Sequence, residues 1–194
     1  MLAALAIAAQ LLVPGFAERR VADRLEAGGG HADVSLDAFP VLRLLFGEGD
    51  SLKVKARRLR LEPGHERLLL ERLDGFDEVQ VRLRDTRMGP LDLGTFVLER
   101  PEGREDYQVR LEGETSPRAL ARFLGGRAGG PLGEGLGGLA GGLMGGGLPL
   151  VLNLRARVKS RGGEPTVEEA GGTVAGLPAG PLVQLALAAV LPRI

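Results

Sequence analysis

Alternating apolar and polar residues predict four amphipathic strands. The segments are SLKVKA from Ser51, EVQVRLR from Glu78, DYQVRLEG from Asp106 and LPLVLNLRARVKS from Leu148. In each, aliphatic residues alternate with charged or amide residues, as in a strand with one buried face. The apolar phase slips after Arg58, which indicates a β-bulge. We therefore expect a largely antiparallel sheet with one apolar face and one wet face rich in arginine.

Other segments predict one short strand and three helices. ADVSLDA alternates around Val34 and Leu36, as a strand does, and AERRVADRLEA has the four-residue spacing of an amphipathic helix that ends at 28–30. SPRALARFLGG begins with Ser116 as a helix N-cap. GPLVQLALAAVLP is apolar on all sides. The predicted fold class is α+β, a curved and mainly antiparallel sheet wrapped on apolar helices.

The first 17 residues have the pattern of a signal peptide or a membrane anchor. The uncharged run 2–13 is shorter than the roughly 20 residues of a membrane-spanning helix. Gly15 and Ala17 form the small-x-small pattern that precedes a cleavage site. No Lys or Arg precedes the run, so three alternatives stay open: a start that lies further upstream, an uncleaved interfacial anchor, and a buried helix of a cytosolic protein. We expect an exported protein, periplasmic or at the cell surface, with residues 18–194 as one domain.

The composition indicates neither catalysis nor a metal. Lys and Arg total 25, as do Asp and Glu, so the field of a nucleic-acid binder is missing. The chain has no cysteine and two histidines, which disfavours a metal site. No serine lies in a G-x-S-x-G or S-x-x-K motif, and the glycine-rich stretch lacks the Lys-Ser/Thr of a phosphate loop. We predict no catalytic residue, no metal and no cofactor.

Three runs carry a resemblance to a known family. They are FPVLRLLFGEGDSLKVKARRLRL from Phe39, DGFDEVQVRLRDTRM from Asp74, and LPLVLNLRARVKSRGGEPTVE, which forms a late hairpin. Together they resemble the LmeA-like family of actinobacterial cell-envelope proteins. The resemblance implies a periplasmic or surface protein that binds phospholipid without altering it and supports glycolipid or lipoglycan assembly. It also implies a fold similar to tubular lipid-binding domains, in a truncated or diverged member.

An apolar sheet face with few aromatic residues predicts an aliphatic cavity that suits acyl chains. We expect the lining to comprise Phe39, Leu42, Leu45, Phe46, Val54, Val81, Val109, Leu120, Phe123, Leu124, Leu136, Leu139 and Leu154. Lys53, Lys55 and Arg57 are candidates for contacts with lipid head groups, and the alternative for them is an ordinary solvated face. Two other hypotheses stay open: a membrane-anchored structural or interaction protein with a filled core, and an enzyme of unrecognised type.

The glycine-rich insertion 125–147 has a helical register. Leu132, Leu136, Leu139 and Leu143 recur on one stripe, beside a row of glycines spaced four apart. Each glycine costs roughly 1 kcal/mol relative to alanine, so such a helix is marginal in water. We expect a weakly stable helix or flap at the mouth of the cavity, with a flexible linker as the alternative.

Overall fold

The structure is a computed structural model that describes residues 15–61, 69–116, 149–161 and 164–178. The described helices are α1, 15–26; a 3₁₀ helix, Val41–Phe46; and α2, Leu69–Asp74. The strands are β1, His31–Asp37; β2, Gly49–Arg57; β3, Arg60–Leu61; β4, Phe76–Met88; β5, Leu91–Arg100; β6, Asp106–Thr115; β7, Leu150–Arg161; β8, Glu164–Val174; and β9, Leu177–Pro178. The two apolar helices predicted from Ser116 and from Gly180 lie almost wholly outside these residues, so their wrapping by the sheet stays a prediction.

The strands form one curved, open sheet in the order β1-β2-β4-β5-β6-β7-β8-β9, with β3 beside β4. All pairs are antiparallel except β2 with β4 and β3 with β4, which are parallel. The parallel pairing arises because a long connection that includes α2, and not a hairpin, returns the chain to the start of β4. The prediction of a sheet-dominated, mainly antiparallel fold is confirmed, and the parallel pairs make the sheet mixed.

The predicted phase slip in β2 corresponds to a real break in the strand. Arg58 has a left-handed φ of 55° and separates β2 from β3, and Leu59 behind it is buried. A second slip occurs in β5, where the register shifts between Leu93 and Thr95. The β5 segment LDLGTFVLER shows no simple alternation because this shift reverses its phase, and the pattern analysis therefore missed the strand.

The apolar face of the sheet is built from rows of residues that run across the strands. One row comprises Val34, Val54, Val81, Leu98, Val109, Ala156 and Ala170. The next comprises Ala32, Ala56, Leu83, Phe96, Leu111, Leu154 and Gly172. From β1 to β6, nearly all members of both rows are buried, so this face forms the hydrophobic core.

Helices α1 and α2 both contact the sheet. In α1, Glu18 accepts a hydrogen bond from the backbone N–H of Leu36 and Glu26 accepts one from Ala32, so α1 covers the free edge of β1. Helix α2 contacts β4 and also the adjacent strands β7 and β8, although β5 and β6 lie between β4 and β7, because the sheet curves toward the helix. Among the described residues, no helix is both long enough and apolar enough to span a bilayer.

Candidate functional site

The predicted lipid-lining residues of the sheet lie together on the apolar face. Val54, Val81 and Val109 share one row across β2, β4 and β6, and Leu154 lies in the neighbouring row. Val81 is half-buried and the other three are buried. Leu120, Phe123, Leu124, Leu136 and Leu139 lie outside the described residues, so the structure does not place them.

The apolar face becomes accessible toward β8. Ala156, Val167, Ala170 and Val174 are only half-buried, whereas most of their counterparts on the central strands, Val81 excepted, are buried. We call these four residues the aliphatic strip. Two of the four are alanines, which leave more room above the sheet than the valines and leucines of the central strands. The strip is therefore a partly accessible continuation of the apolar face.

A buried polar cluster closes one end of the apolar face. The Asp74 carboxylate at the end of α2 accepts hydrogen bonds from Tyr107 Oη at 2.7 Å, Ser160 Oγ at 2.5 Å and Arg100 Nη1 at 3.4 Å. Arg100 also donates to the backbone carbonyls of Leu73, Asp74 and Phe76, and its guanidinium lies 4.7 Å from the Tyr107 ring centroid. These contacts join α2 to β5, β6 and β7.

The hydrogen bonds of the polar cluster attach α2 to the sheet. Burial, followed by the hydrogen bond to Asp74, raises the pKa of the Tyr107 hydroxyl, so this group stays a neutral donor. Ser160 donates to a carboxylate that already accepts from two other groups, and no histidine takes part. In the described ranges, no group of three His, Asp or Glu side chains could hold a metal.

The sequence analysis missed the polar cluster, although β5 carries a signal for it. Once the bulge at Gly94 is included, Phe96, Leu98 and Arg100 share one phase, which places an arginine at an inward position. An arginine is rarely buried without an acidic or carbonyl partner. An inward Arg100 therefore points to a buried acceptor such as Asp74.

The first four predicted lining residues lie on the molecular surface. The exposed fractions are 76% for Phe39, 55% for Leu42, 68% for Leu45 and 83% for Phe46. We call these four residues the apolar tip, and the end of the sheet where β2 and β4 begin the tip end. Their role in contacting lipid stays a prediction, but the surface that they form faces outward and does not belong to the buried apolar face.

The geometry of the 3₁₀ helix explains the exposure of Leu42, Leu45 and Phe46. With three residues per turn, Val41 and Leu44 lie on one side, Leu42 and Leu45 on a second, and Arg43 and Phe46 on the third. Val41 is buried with 2% exposure and Leu44 packs against the core, so the other two sides face outward.

Polar contacts fix the base of the apolar tip. Asp50 accepts hydrogen bonds from the Arg43 side chain and from the backbone N–H of Phe39, both at 2.7 Å. Gly47 ends the 3₁₀ helix at a left-handed φ of 77°, and the Gly49 N–H donates to the Gly75 carbonyl at 3.0 Å. The tip therefore has a defined base.

The close approach of Gly75 to the tip gives a testable prediction. A β-carbon at position 75 would overlap the carbonyl oxygen of Gly47. We expect Gly75→Ala to lower the free energy of unfolding by about 1–3 kcal/mol, because backbone and not a flexible side chain must shift. Gly171→Ala is the control, since its β-carbon would meet nothing within 4 Å. Thermal unfolding of both variants checks this; an equal loss of stability in both would contradict the close-packed base.

The predicted head-group residues lie on the polar face of β2. Lys53 forms an ion pair with Glu78 at 3.2 Å. In the described part of the chain, neither Lys55 nor Arg57 lies within ion-pair distance of a carboxylate; they neighbour Arg82 and Arg84 on β4. However, Lys55 lies opposite Asp33 of β1, and Arg82 on β4 pairs with Glu99 at 3.0 Å, so the polar face carries charges of both signs. Its contact with lipid head groups stays a prediction.

A concavity of about 760 Å³ lies at the opposite end of the sheet, which we call the far end. Its lining mixes charged residues with apolar ones such as Leu59, Leu93 and Leu152, and comes from 58–60, 85–87, 92–94, 112–114 and 151–153. Residues 117–148, which include the glycine-rich insertion, leave the described structure beside it at Ser116 and return at Pro149.

Comparison with known proteins identifies the family. No curated protein and no solved structure matches the chain significantly. The family model described as LmeA-like phospholipid-binding matches residues 8–191, nearly the whole chain. The resemblance seen in the sequence is therefore confirmed, and the chain belongs to the LmeA-like phospholipid-binding family.

Proposed function

We propose that this protein is a non-catalytic, extracytoplasmic lipid-binding protein that holds the acyl chains of a phospholipid or glycolipid in an aliphatic groove. In this role it supports the assembly of cell-envelope lipids or lipoglycans. The observation that carries the proposal is the family match over residues 8–191, because that family is described as phospholipid-binding. The continuous apolar face of one curved sheet supports it.

The aliphatic strip is the proposed position of an acyl chain. It continues the apolar rows of the core, but its members are half-buried and two are alanines. Removing a methylene group from water contributes about 0.8 kcal/mol, so a chain lying along several strands gains several kcal/mol. This gain in binding free energy requires no hydrogen bond or ion pair between the groove and the acyl chain.

The charged groups outside the strip are proposed to contact the lipid head group or the membrane. Lys55 and Arg57 on the polar face supply cations without a carboxylate partner in the described structure. Each cation near an anionic membrane surface contributes on the order of 1 kcal/mol. We also propose that the amino-terminal segment directs export. The glycine-rich insertion is proposed to gate the entry of lipid, with Leu136 and Leu139 contacting the lipid.

Uptake of a fluorescent phospholipid from donor vesicles tests the proposal. We expect the full chain to remove the lipid from the vesicles and to return it chemically intact on solvent extraction. The absence of uptake would favour a structural protein with a filled core. Recovery of a cleaved lipid would instead show an enzyme, and both results would contradict the proposed function.

A further inference from the structure

We infer that the apolar tip inserts into the surface of a phospholipid bilayer, so that the protein docks with the tip end of its sheet against the membrane. The inference rests on the proposed lipid-binding function and assigns it a membrane-contact site. The site comprises Phe39, Leu42, Leu45 and Phe46, and it is distinct from the aliphatic strip on β7 and β8.

The first argument is the cost of exposing these side chains. Two phenylalanines and two leucines, each more than half exposed, lie within eight consecutive residues of the chain. Isolated exposed apolar residues are ordinary, but a contiguous group of large ones marks an interaction surface. The base described above holds the group outward, through Asp50 on one side and the buried Val41 on the other.

The second argument is the course of the chain. Because Glu18 contacts Leu36 and Glu26 contacts Ala32, α1 runs antiparallel to β1, and its first residues lie at the tip end. Phe16, in the first turn of α1, is 67% exposed at that end. The apolar run 2–13 therefore joins the described structure at the same end as the apolar tip. When the amino-terminal segment is retained as a membrane anchor, a bilayer accommodates both this segment and the apolar tip.

The third argument is the charge around the apolar tip. This charge determines whether electrostatic attraction or burial of apolar surface drives the contact with the membrane. Arg43 is surrounded by Glu48, Asp50 and Asp77 at 2.7–3.8 Å, so the rim is acidic overall. An acidic rim is not attracted by anionic lipids, and the contact must come from burial of apolar surface. We therefore expect tip insertion into phosphatidylcholine vesicles, with little change between about 0.1 M and about 1 M salt.

The absence of cysteine allows a direct test in the full chain. A single cysteine introduced by Leu42→Cys is labelled with an environment-sensitive fluorophore, and phosphatidylcholine vesicles are added. We expect a blue shift and a severalfold rise in emission. Val151→Cys is the control, because Val151 is also an exposed aliphatic side chain, 44% accessible, but lies at the far end. An unchanged spectrum at Leu42→Cys, or a response at Val151→Cys alone, would overturn the inference.

A second pair of variants measures the contribution to binding. Leu45→Ser combined with Phe46→Ser should weaken the vesicle partition coefficient of the tip by about 100-fold, whereas Val151→Ser should change it less than about twofold. If residues 2–13 hold the double variant on the vesicles, its partition coefficient does not report on the tip. The fluorophore at Leu42→Cys, introduced into the double variant, then reports the loss of tip insertion. Unchanged partitioning together with unchanged emission would contradict the inference. The inference would also be contradicted if the unmodified protein were an oligomer that dissociates in the double variant while vesicle binding persists, because the tip would then be an interface between copies of the chain.

The failure of the inference and that of the proposed function are distinguishable. Lipid content after purification depends on the strip, and label emission on vesicles depends on the tip. Bound phospholipid with no tip response would overturn only the inference. A tip response in a protein that takes up no lipid would support the inference and contradict the proposed function.

Discussion

Replacing Asp74 by alanine should lower the free energy of unfolding by about 3–5 kcal/mol, because it leaves the buried Arg100 without its carboxylate. The Arg100 side chain is 9% exposed, and Tyr107, which also donates to Asp74, is fully buried. A typical domain is stable by only about 5–15 kcal/mol, so this loss is a large fraction of the total. Chemical denaturation followed by circular dichroism measures it.

A matched surface pair provides the control for Asp74. Asp92 forms an ion pair with Arg87 at 2.6 Å, but both side chains are more than 60% exposed. Asp92→Ala should therefore cost less than about 1 kcal/mol. Where Asp74→Ala fails to fold, Tyr107→Phe removes a single donor and should cost about 1–2 kcal/mol. Equal costs for Asp74→Ala and Asp92→Ala, or no cost for Tyr107→Phe, would contradict the role of the polar cluster.

Replacing Ala170 by tryptophan should reduce the phospholipid that the protein retains by about tenfold, equivalent to about 1.4 kcal/mol. Ala170 lies in the aliphatic strip and is half-buried, so the ring would occupy the space proposed for an acyl chain. Because the position is not part of the closely packed centre of the core, we expect the variant to fold. Lipid extraction from purified protein, with phosphorus quantified per mole of protein, gives the ratio.

Thr166→Trp is the control for the strip. Thr166 lies on the same strand but is exposed and pairs with Lys159, whose side chain belongs to the polar face. The added ring has the same size and lies on the opposite side of the sheet. We expect its lipid content to match that of the unmodified protein. A loss of lipid in Thr166→Trp, or full retention in Ala170→Trp, would place the acyl chain away from the strip.

Strands with regular alternation could be predicted from sequence because burial of one face imposes a period of two. The segments around Val54, Val81 and Val109 were found in this way, and the register then brings them into one row. β5 was missed because a register shift at Gly94 reverses its phase. The parallel pairing of β2 with β4 also escaped prediction, since alternation gives the faces of a strand but not its neighbours.

The candidate sites were predicted less completely than the strands. Phe46 was predicted to line an acyl-chain cavity, and it lies on the surface because a 3₁₀ helix has three sides and only the one with Val41 and Leu44 packs inward. The polar cluster depends on Asp74, Tyr107 and Ser160, which are up to 86 residues apart in the chain. Local periodicity contains no information about contacts of that range. The family resemblance, in contrast, depends on extended segments and was confirmed.

Native mass spectrometry of the purified full chain tests the central claim most directly. The account predicts a population whose mass exceeds that of the 194-residue chain by one or a few intact phospholipids or glycolipids. Dissociation in the gas phase should release these lipids unaltered. A protein of bare chain mass that stays so after incubation with phospholipid vesicles would contradict the account.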